Sequence, residues 1–306
     1  MGSKISFIYH PKYDIPLPIS HRFTSSKFSD LFQELKITGL IGNSVLLTPT
    51  SATLADLSIT HNPDYIAKFE SGNLSSDELR RLGLPWTKEL VERSFLAVNG
   101  TYLTASEALR NGVACHLAGG THHSHYDFGS GFCVFNDMAF AAVQLLNQRR
   151  IKRILIFDCD VHQGDGTAAI LENNSKVFTC SIHCRKNFPA RKMKSDLDIE
   201  LDDNLGNKDY LQILRNTLKN CTSRFFPDLV IYDAGVDVSQ TDRLGRLKLD
   251  VDGIYERDFC VLEYFKNLST PVATVIGGGY SSDPKELARR HSQVFHAAQN
   301  LHGFIK

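Results

Sequence analysis

The sequence predicts an α/β protein built around a parallel sheet with helices on both faces. Short apolar runs typical of strands alternate with longer segments of helical period, the pattern of a parallel sheet. One run, Ile154–Phe157, is apolar at every position, as expected for a strand covered on both sides. Acidic residues, histidines and glycines directly follow several of the runs, and sheets of this kind bind ligands beyond the carboxyl ends of their strands.

The predicted strands share a short apolar run that ends at a polar or glycine-rich stretch. They are Ser6–Tyr9, Ser44–Leu47, Val113–Leu117, Ile154–Phe157, Lys176–Ile182, Asp228–Tyr232 and Val272–Ile276. The predicted helices carry apolar residues at spacings of three and four, and the longest ends at Asn111-Gly112, which favours a C-cap. They are Ser25–Lys36, His61–Phe69, Lys88–Arg110, Asn136–Asn147, Tyr210–Arg224, Gly253–Phe265 and Pro284–Ala298. No repeat or Pro/Gly/Ser-rich linker divides the chain, so we expect residues 1–306 to form a single domain.

Composition excludes some classes of function. The chain has 34 basic and 34 acidic residues, so its charge gives no argument for binding nucleic acid or an anionic membrane. No apolar run approaches the roughly 20 residues that span a bilayer, and no signal-peptide core is present. We expect a cytoplasmic protein with reduced cysteines, leaving nuclear access or non-classical secretion open. The opening Met1–Ser6 also matches the short myristoylation pattern at Gly2, which occurs often by chance.

Polar residues, in one case after a run of glycines, follow four of the predicted strands. They are His122 and His123 after the third strand; Asp158, Asp160, His162 and Asp165 after the fourth; Asp233 and Asp237 after the sixth; and Gly277, Gly278, Gly279 and Tyr280 after the seventh. Each has an ordinary structural explanation by itself, such as turn chemistry for Asp165-Gly166 or helix capping for Asp233 and Asp237. Their convergence at one edge of a sheet instead favours a functional site.

The chemistry of this set favours a metal-dependent hydrolase. Asp158, Asp160 and His162 alternate along an extended segment and therefore point to the same side, where a cation would offset the cost of buried carboxylates. Two carboxylates and one imidazole leave a coordination position for water, whose pKa a metal lowers. A histidine can move that water's proton, and Tyr280 can donate to the developing oxyanion. Spacing alone leaves the choice between Asp233 and Asp237 open.

Five ordered motifs resemble those of the zinc-dependent histone deacetylase family. They are Gly119-Gly120-Thr121-His122-His123, Gly129–Asp137, Asp158–Gly166, Asp233–Asp237 and Gly278-Gly279-Tyr280, and the match extends from about His10 to the last helix. The resemblance implies the arginase–deacetylase fold, a single domain around an eight-stranded parallel sheet. Within the family, Asp242–Leu247 and the compact length most resemble class IV deacetylases and bacterial relatives. Thr121 departs from the pattern, since many relatives carry an aromatic residue there, and no rim aspartate that holds the substrate backbone is identifiable.

The resemblance also implies roles for individual residues. It assigns zinc to Asp160, His162 and Asp237, and general acid–base catalysis to His123. His122 would be its electrostatic partner, with Asp158 behind His122 and Asp165 behind His123, while Tyr280 polarises the scissile carbonyl. The substrate residues that it implies are Gly131, Phe132, Phe188 and Leu244. The residues that match the family's potassium site are Asp158, Asp160, His162, Ser181 and Ile182. Arg22 matches an arginine near the family's product exit channel.

The expected activity is removal of acetyl or longer fatty acyl groups from lysine side chains of proteins or peptides, with sensitivity to hydroxamate-type inhibitors. No direct contact with nucleic acid is expected. One alternative is deacetylation of a small amine such as an acetylpolyamine. A second is an arginase-type ureohydrolase, which would need two manganese ions. A non-enzymatic acyl-lysine-binding module is disfavoured, because the proposed ligands, both histidines and Tyr280 are all present.

Overall fold

All strands of the computed structural model, which describes residues 4–18 and 20–302, lie in one parallel sheet. The strands are β1 (Ile5–Ile8), β2 (Ser44–Leu47), β3 (Val113–His116), β4 (Ile154–Asp158), β5 (Val177–Cys184), β6 (Leu197–Leu201), β7 (Leu229–Asp233) and β8 (Val272–Val275). Their order is β2-β1-β3-β8-β7-β4-β5-β6, which confirms the predicted eight-stranded parallel sheet. The myristoylation pattern at Gly2 lies outside the described residues.

Helices cover the sheet on both sides. They are α1 (Lys27–Ile37), α2 (Leu54–Leu57), α3 (Pro63–Ser71), α4 (Ser76–Leu82), α5 (Lys88–Asn111), α6 (Asp137–Asn147), α7 (Asp165–Leu171), α8 (Asn207–Arg224), α9 (Val251–Asn267), α10 (Pro284–His291) and α11 (Gln293–His302). Within the described residues, none of these helices is long and apolar enough to cross a membrane.

Strand β4 shows why the sheet needs helices on both faces. All its residues are buried, and their side chains alternate between two separate apolar clusters. Leu155 and Phe157 pack in one cluster, and Ile154 and Ile156 in the other, as the period of two in a strand requires. The continuous apolar run in the sequence is therefore the mark of a strand with a core on each side.

Four elements were not predicted, and one predicted helix is divided. The missed elements are α2, α4, α7 and β6. The first three are short helices. In the described part of the sheet β6 is an edge strand that pairs with β5 alone, and it is largely half-buried. Asp165, for which turn chemistry is one structural explanation, is the first residue of α7. The final helix breaks at Ser292, whose hydroxyl donates to the carbonyl oxygen of Arg289 at 2.9 Å and so competes with the helical ladder.

Candidate active site

Asp160, His162 and Asp237 form a buried triad at the carboxyl edge of the sheet. Their ligand atoms all lie within 4.8 Å of one another. His162 Nδ1 is 3.0 Å from a carboxylate oxygen of Asp160 and 3.0 Å from one of Asp237. Backbone N–H groups of Gly278 and Val161 donate to these two carboxylates at 2.6 and 2.9 Å, which fixes both in place. The loops after β4, β7 and β8 therefore build one centre.

The electrostatics of this triad fit a bound cation. Burial and the nearby charge of Asp160 raise the pKa of Asp237 to about 7. Burial alone would lower the pKa of His162, but the two carboxylates outweigh it and raise the pKa to about 10. A proton on the imidazole thus compensates two buried acids, and a divalent metal ion with nitrogen and oxygen ligands can replace that proton.

Asp233 lies in a different group from Asp237, although Asp233 ends β7 and Asp237 is in the loop that follows. Its ligand atom is within 4.8 Å of those of His122 and Asp158. Its Oδ2 is 4.0 Å from His122 Nδ1 and has no hydrogen-bond partner among the described residues. Burial raises the pKa of Asp233 well above its usual range, and the neighbouring Asp158 adds to the effect. The geometry thus separates the two aspartates that sequence spacing could not.

The two adjacent histidines are each held by a separate carboxylate. His122 Nδ1 is 2.7 Å from Asp158 Oδ2, and His123 Nδ1 is 2.6 Å from Asp165 Oδ1. The two Nε2 atoms face each other at 3.1 Å, so only one of them can carry a proton in this hydrogen bond. Burial would lower the pKa of His122, but Asp158 and Asp160 hold it well above its usual value. Burial, together with the charge of His122, lowers the pKa of His123 to about 4.

These pKa directions define a proton arrangement in the histidine pair. His122 carries the charge and donates from Nε2, while His123 is neutral and accepts at Nε2. Because Nδ1 of His123 is engaged with Asp165, the acceptor lone pair of this ring lies on Nε2, the nitrogen that meets His122. His125 also reaches Asp165, at 3.0 Å, a contact that the sequence motifs did not indicate.

A tight turn after β3 positions His122 and His123 in the site. Gly119 and Gly120 both have positive φ, +83° and +80°. A Cβ on Gly120 would lie 2.4 Å from the Cα of Gly277, so the two loops can approach this closely only with glycine at position 120. Asp137, at the start of α6, accepts from the backbone N–H of Gly120 and of Thr121 at 3.1 and 2.7 Å. The motif Gly129–Asp137 ends in this aspartate, but its role in holding the turn was not predicted.

An open cleft of about 320 Å³ reaches the triad and has His162 in its lining. The four residues predicted to bind substrate line it, together with Tyr280; they are Gly131, Phe132, Phe188 and Leu244. The ring of Phe188 is 4.8 Å from that of His123 and is 45% exposed, and the ring of Phe132 is 5.8 Å from that of Tyr280. Asn187 also lines the cleft and was not predicted. Its side-chain amide donates to the Leu244 carbonyl at 2.7 Å and so holds the Leu244 segment in the wall of the cleft.

A second, much smaller cavity of about 30 Å³ lies on the inner side of the same residues. Its lining includes Phe23, Phe28 and two buried cations, Lys27 and Arg93. Lys27 Nζ donates to the Gly277 carbonyl at 2.6 Å. Arg22, whose match to an arginine near a product exit channel stays a prediction, lines the outer cleft and not this cavity. Lysine and arginine are rarely buried, so nothing in the sequence indicated that Lys27 and Arg93 lie inside the protein, and their position in this cavity was not predicted.

The remaining predicted residues, Ser181 and Ile182, lie on β5 beside β4 and are buried. Ser181 is in register with Asp158, and its hydroxyl is 3.0 Å from His183 Nδ1. The residues predicted for potassium therefore come together on two neighbouring strands and the loop after β4.

Comparison with known proteins assigns the class. The histone deacetylase domain model matches residues 21–298, so the chain belongs to the histone deacetylase family of hydrolases and has the arginase–deacetylase fold. The chain is 45% identical to an uncharacterized protein of Picosynechococcus sp. over 96% of its own length and 98% of that protein. It is 30% identical to histone deacetylase 2 of Arabidopsis thaliana, over 91% of this chain and 75% of the relative. It is 26% identical to the acetoin utilization protein AcuC of Staphylococcus xylosus, over 90% and 77% respectively.

Proposed function

We propose that this protein is a zinc-dependent hydrolase that removes acyl groups from lysine side chains of proteins or peptides. The observation that carries the proposal is that a buried Asp–His–Asp triad and a carboxylate-held histidine pair each present one histidine to a single cleft, His162 and His123, which Tyr280 also lines. Asp160, His162 and Asp237 would hold the zinc ion. When bound, the ion supplies Lewis-acid activation of water and of the scissile carbonyl.

The histidine pair moves the proton. In the proposed reaction a water O–H replaces the His122 N–H at Nε2 of His123, since Asp165 occupies Nδ1. His123 accepts that proton and returns it to the lysine amine that leaves. His122 stays positively charged against Asp158, which keeps the lone pair of His123 unprotonated and stabilises negative charge at the reacting centre. Both carboxylates fix the orientation and tautomer of their rings.

Tyr280 and the cleft walls orient the substrate. Burial raises the pKa of the Tyr280 hydroxyl well above its usual value, so it stays protonated and donates to the carbonyl oxygen as negative charge develops. Phe132, Phe188 and Leu244 pack along the lysine stem, and the Gly131 carbonyl accepts the N–H of the scissile amide. We further propose that potassium binds at Asp158, Asp160, His162, Ser181 and Ile182. Their burial and juxtaposition support such an inner site.

The test is a direct assay on purified protein with its metal content measured. We expect release of acetate from an acetyl-lysine peptide, about one zinc per chain, loss of activity on chelation with recovery on added zinc, and inhibition by a hydroxamate. Acetylspermidine and arginine are assayed alongside. Two manganese ions per chain with release of urea would overturn the proposal in favour of a ureohydrolase, and turnover of acetylspermidine alone would favour the small-amine alternative.

A further inference from the structure

The mouth of the cleft is lined by basic residues from four separate segments. They are Arg22, Arg80, Arg81, Lys186, Arg243 and Arg246, and all are exposed. Neither aspartate nor glutamate is among the described residues that line the three adjoining parts of this mouth. Since the whole chain carries equal numbers of basic and acidic residues, the positive charge at the mouth is a local asymmetry. We call these six side chains the basic rim.

The ion pairs within reach leave the basic rim positive. Asp203 is shared by Lys186 and Arg246 at 3.4 and 3.3 Å, and Asp77 pairs with Arg80 at 2.8 Å. Glu78 is near Arg81 but is engaged with the backbone of Ser75 and with Lys68. Arg81 instead stacks on Phe128, with its guanidinium carbon 4.5 Å from the ring centroid. Asp242 is buried and accepts from the backbone N–H of Tyr280 and from Arg290.

Arg22 and Arg243 are the central members of the basic rim. Neither forms an ion pair with any residue in the described part of the chain. Arg22 lines all three parts of the mouth, and Arg243 shares one of them with Leu244 and Tyr280. Two unpaired guanidinium groups thus stand directly over the cleft that leads to the triad.

We propose that the basic rim selects acyl-lysines that lie within acidic polypeptide segments. The inference rests on the proposed lysine deacylase function and specifies its substrate class. Charged groups at a cleft raise the local concentration of ligands of opposite sign and disfavour those of like sign. Aspartate and glutamate residues flanking the acyl-lysine would meet the guanidinium groups, whereas lysine-rich segments and cationic polyamines are repelled. A polypeptide fits better than a small anion, because the charges come from four segments around the mouth.

The first experiment compares three acetyl-lysine peptides of equal length whose flanking residues are all glutamate, all glutamine or all lysine. We expect kcat/KM to be at least tenfold higher for the glutamate peptide than for the lysine peptide, with the difference mainly in KM. Rising ionic strength should reduce the value for the glutamate peptide and raise that for the lysine peptide, because salt screens exposed charges. Equal values for the three peptides, or a preference for the lysine peptide, would overturn the inference while leaving the deacylase function intact. No turnover of any peptide would instead contradict the proposed function.

The second experiment removes the rim charges. Each of Arg22→Gln, Arg243→Gln and Arg246→Gln should lower the ratio of the glutamate to the lysine peptide about two- to fivefold, the range for exposed ion pairs. The triple variant should bring the ratio close to one. Arg149→Gln is the matched control, since Arg149 is exposed and lies before β4, at the opposite edge of the sheet. An unchanged ratio in the triple variant would show that the basic rim does not set the preference.

Discussion

At the scale of single residues, two aspartates at the end of β7 take different places in the site. Asp237 belongs to the triad, and Asp233 lies beside the histidine pair. We predict that Asp237→Asn lowers zinc affinity by at least about a hundredfold, because it removes a ligand, whereas Asp233→Asn retains about one zinc per chain. Competition with a chelating dye measures both affinities. Loss of zinc from Asp233→Asn but not from Asp237→Asn would show that Asp233 is the zinc ligand instead.

Tyr280 is proposed to act in the reaction rather than in folding. Its ring packs against Phe132 and near His162, and these contacts do not need the hydroxyl. We predict that Tyr280→Phe lowers kcat about 100- to 1,000-fold, the effect of removing one oxyanion donor. The melting temperature and zinc content should match those of the unsubstituted protein. Full activity in this variant would contradict the proposed mechanism.

Protons and metal compete for the same residues, which makes metal binding dependent on pH. The pKa values of His162 and Asp237 are about 10 and about 7 without metal, and only the deprotonated groups bind zinc. At pH 8.5 binding should displace about one proton, from His162, and at pH 6 about two, so zinc affinity falls as the pH falls. Calorimetry in buffers of different protonation enthalpy counts the protons. A zinc affinity that stays the same from pH 5.5 to pH 8.5 would contradict this prediction.

At the scale of elements, helix α9 fastens the ends of β4 and β7 together. Arg257 of α9 is fully buried and donates to the carbonyl oxygens of Ala234 and Gly235, after β7, and of Cys159, after β4. It also pairs with Asp258 at 2.9 Å. These carbonyls neighbour the triad residues in sequence, so Arg257 is a positioning residue for the site.

We predict that Arg257→Met destabilises the fold by about 3–5 kcal/mol, because it leaves the Asp258 carboxylate buried without its partner. Urea unfolding measures the loss, and zinc affinity should fall with it because the strand ends lose their common anchor. Glu256→Gln, at an exposed position of the same helix, is the control and should change stability by less than about 0.5 kcal/mol. A stability change in Arg257→Met no larger than in the control would contradict this role.

Helices α1 and α5 together limit the acyl group that the site can hold. The inner cavity of about 30 Å³ has room for about two water-sized groups, and Phe28 of α1 and Arg93 of α5 close it. Substrate that enters by the outer cleft would direct its acyl chain into this cavity, because His123, His162 and Tyr280 line both spaces.

We therefore predict at least about tenfold higher kcat/KM for acetyl-lysine than for butyryl-lysine, and little turnover of myristoyl-lysine. Phe28→Ala should enlarge the cavity and shift the preference toward longer chains. Phe32→Ala is the control on the same helix, because Phe32 stacks on Tyr9 with ring centroids 4.4 Å apart and does not line the cavity. A panel of peptides with acyl chains of increasing length measures the preference, and efficient removal of myristoyl groups would exclude a closed cavity.

At the scale of the whole molecule, the sequence predicts features that depend on a single strand or helix, such as where a strand lies and which residues follow it. Seven of the eight strands were predicted from apolar runs, and the residues beyond their carboxyl ends do meet at one edge. The strand order could not be predicted, since it depends on pairings far apart in sequence. The positions of Lys27 and Arg93 in the lining of the inner cavity could not be predicted either, nor could the contacts of Arg257 with the ends of β4 and β7. Each depends on how several elements pack together. The class IV assignment and the boundaries 1–306 remain predictions.

The place of β8 in the sheet has a consequence for the newly made chain. β8 is the last strand in sequence, yet it lies between β3 and β7 and is the sole hydrogen-bonded link between β2-β1-β3 and β7-β4-β5-β6 in the described sheet. Val113 and Val272 must meet across about half of the chain's length, and pairing at such separation favours slow folding. A chain still on the ribosome has two unjoined half-sheets, each with a bare edge prone to wrong pairing. Translation must therefore pass residue 275 before the two half-sheets can join and the site at their common edge can form.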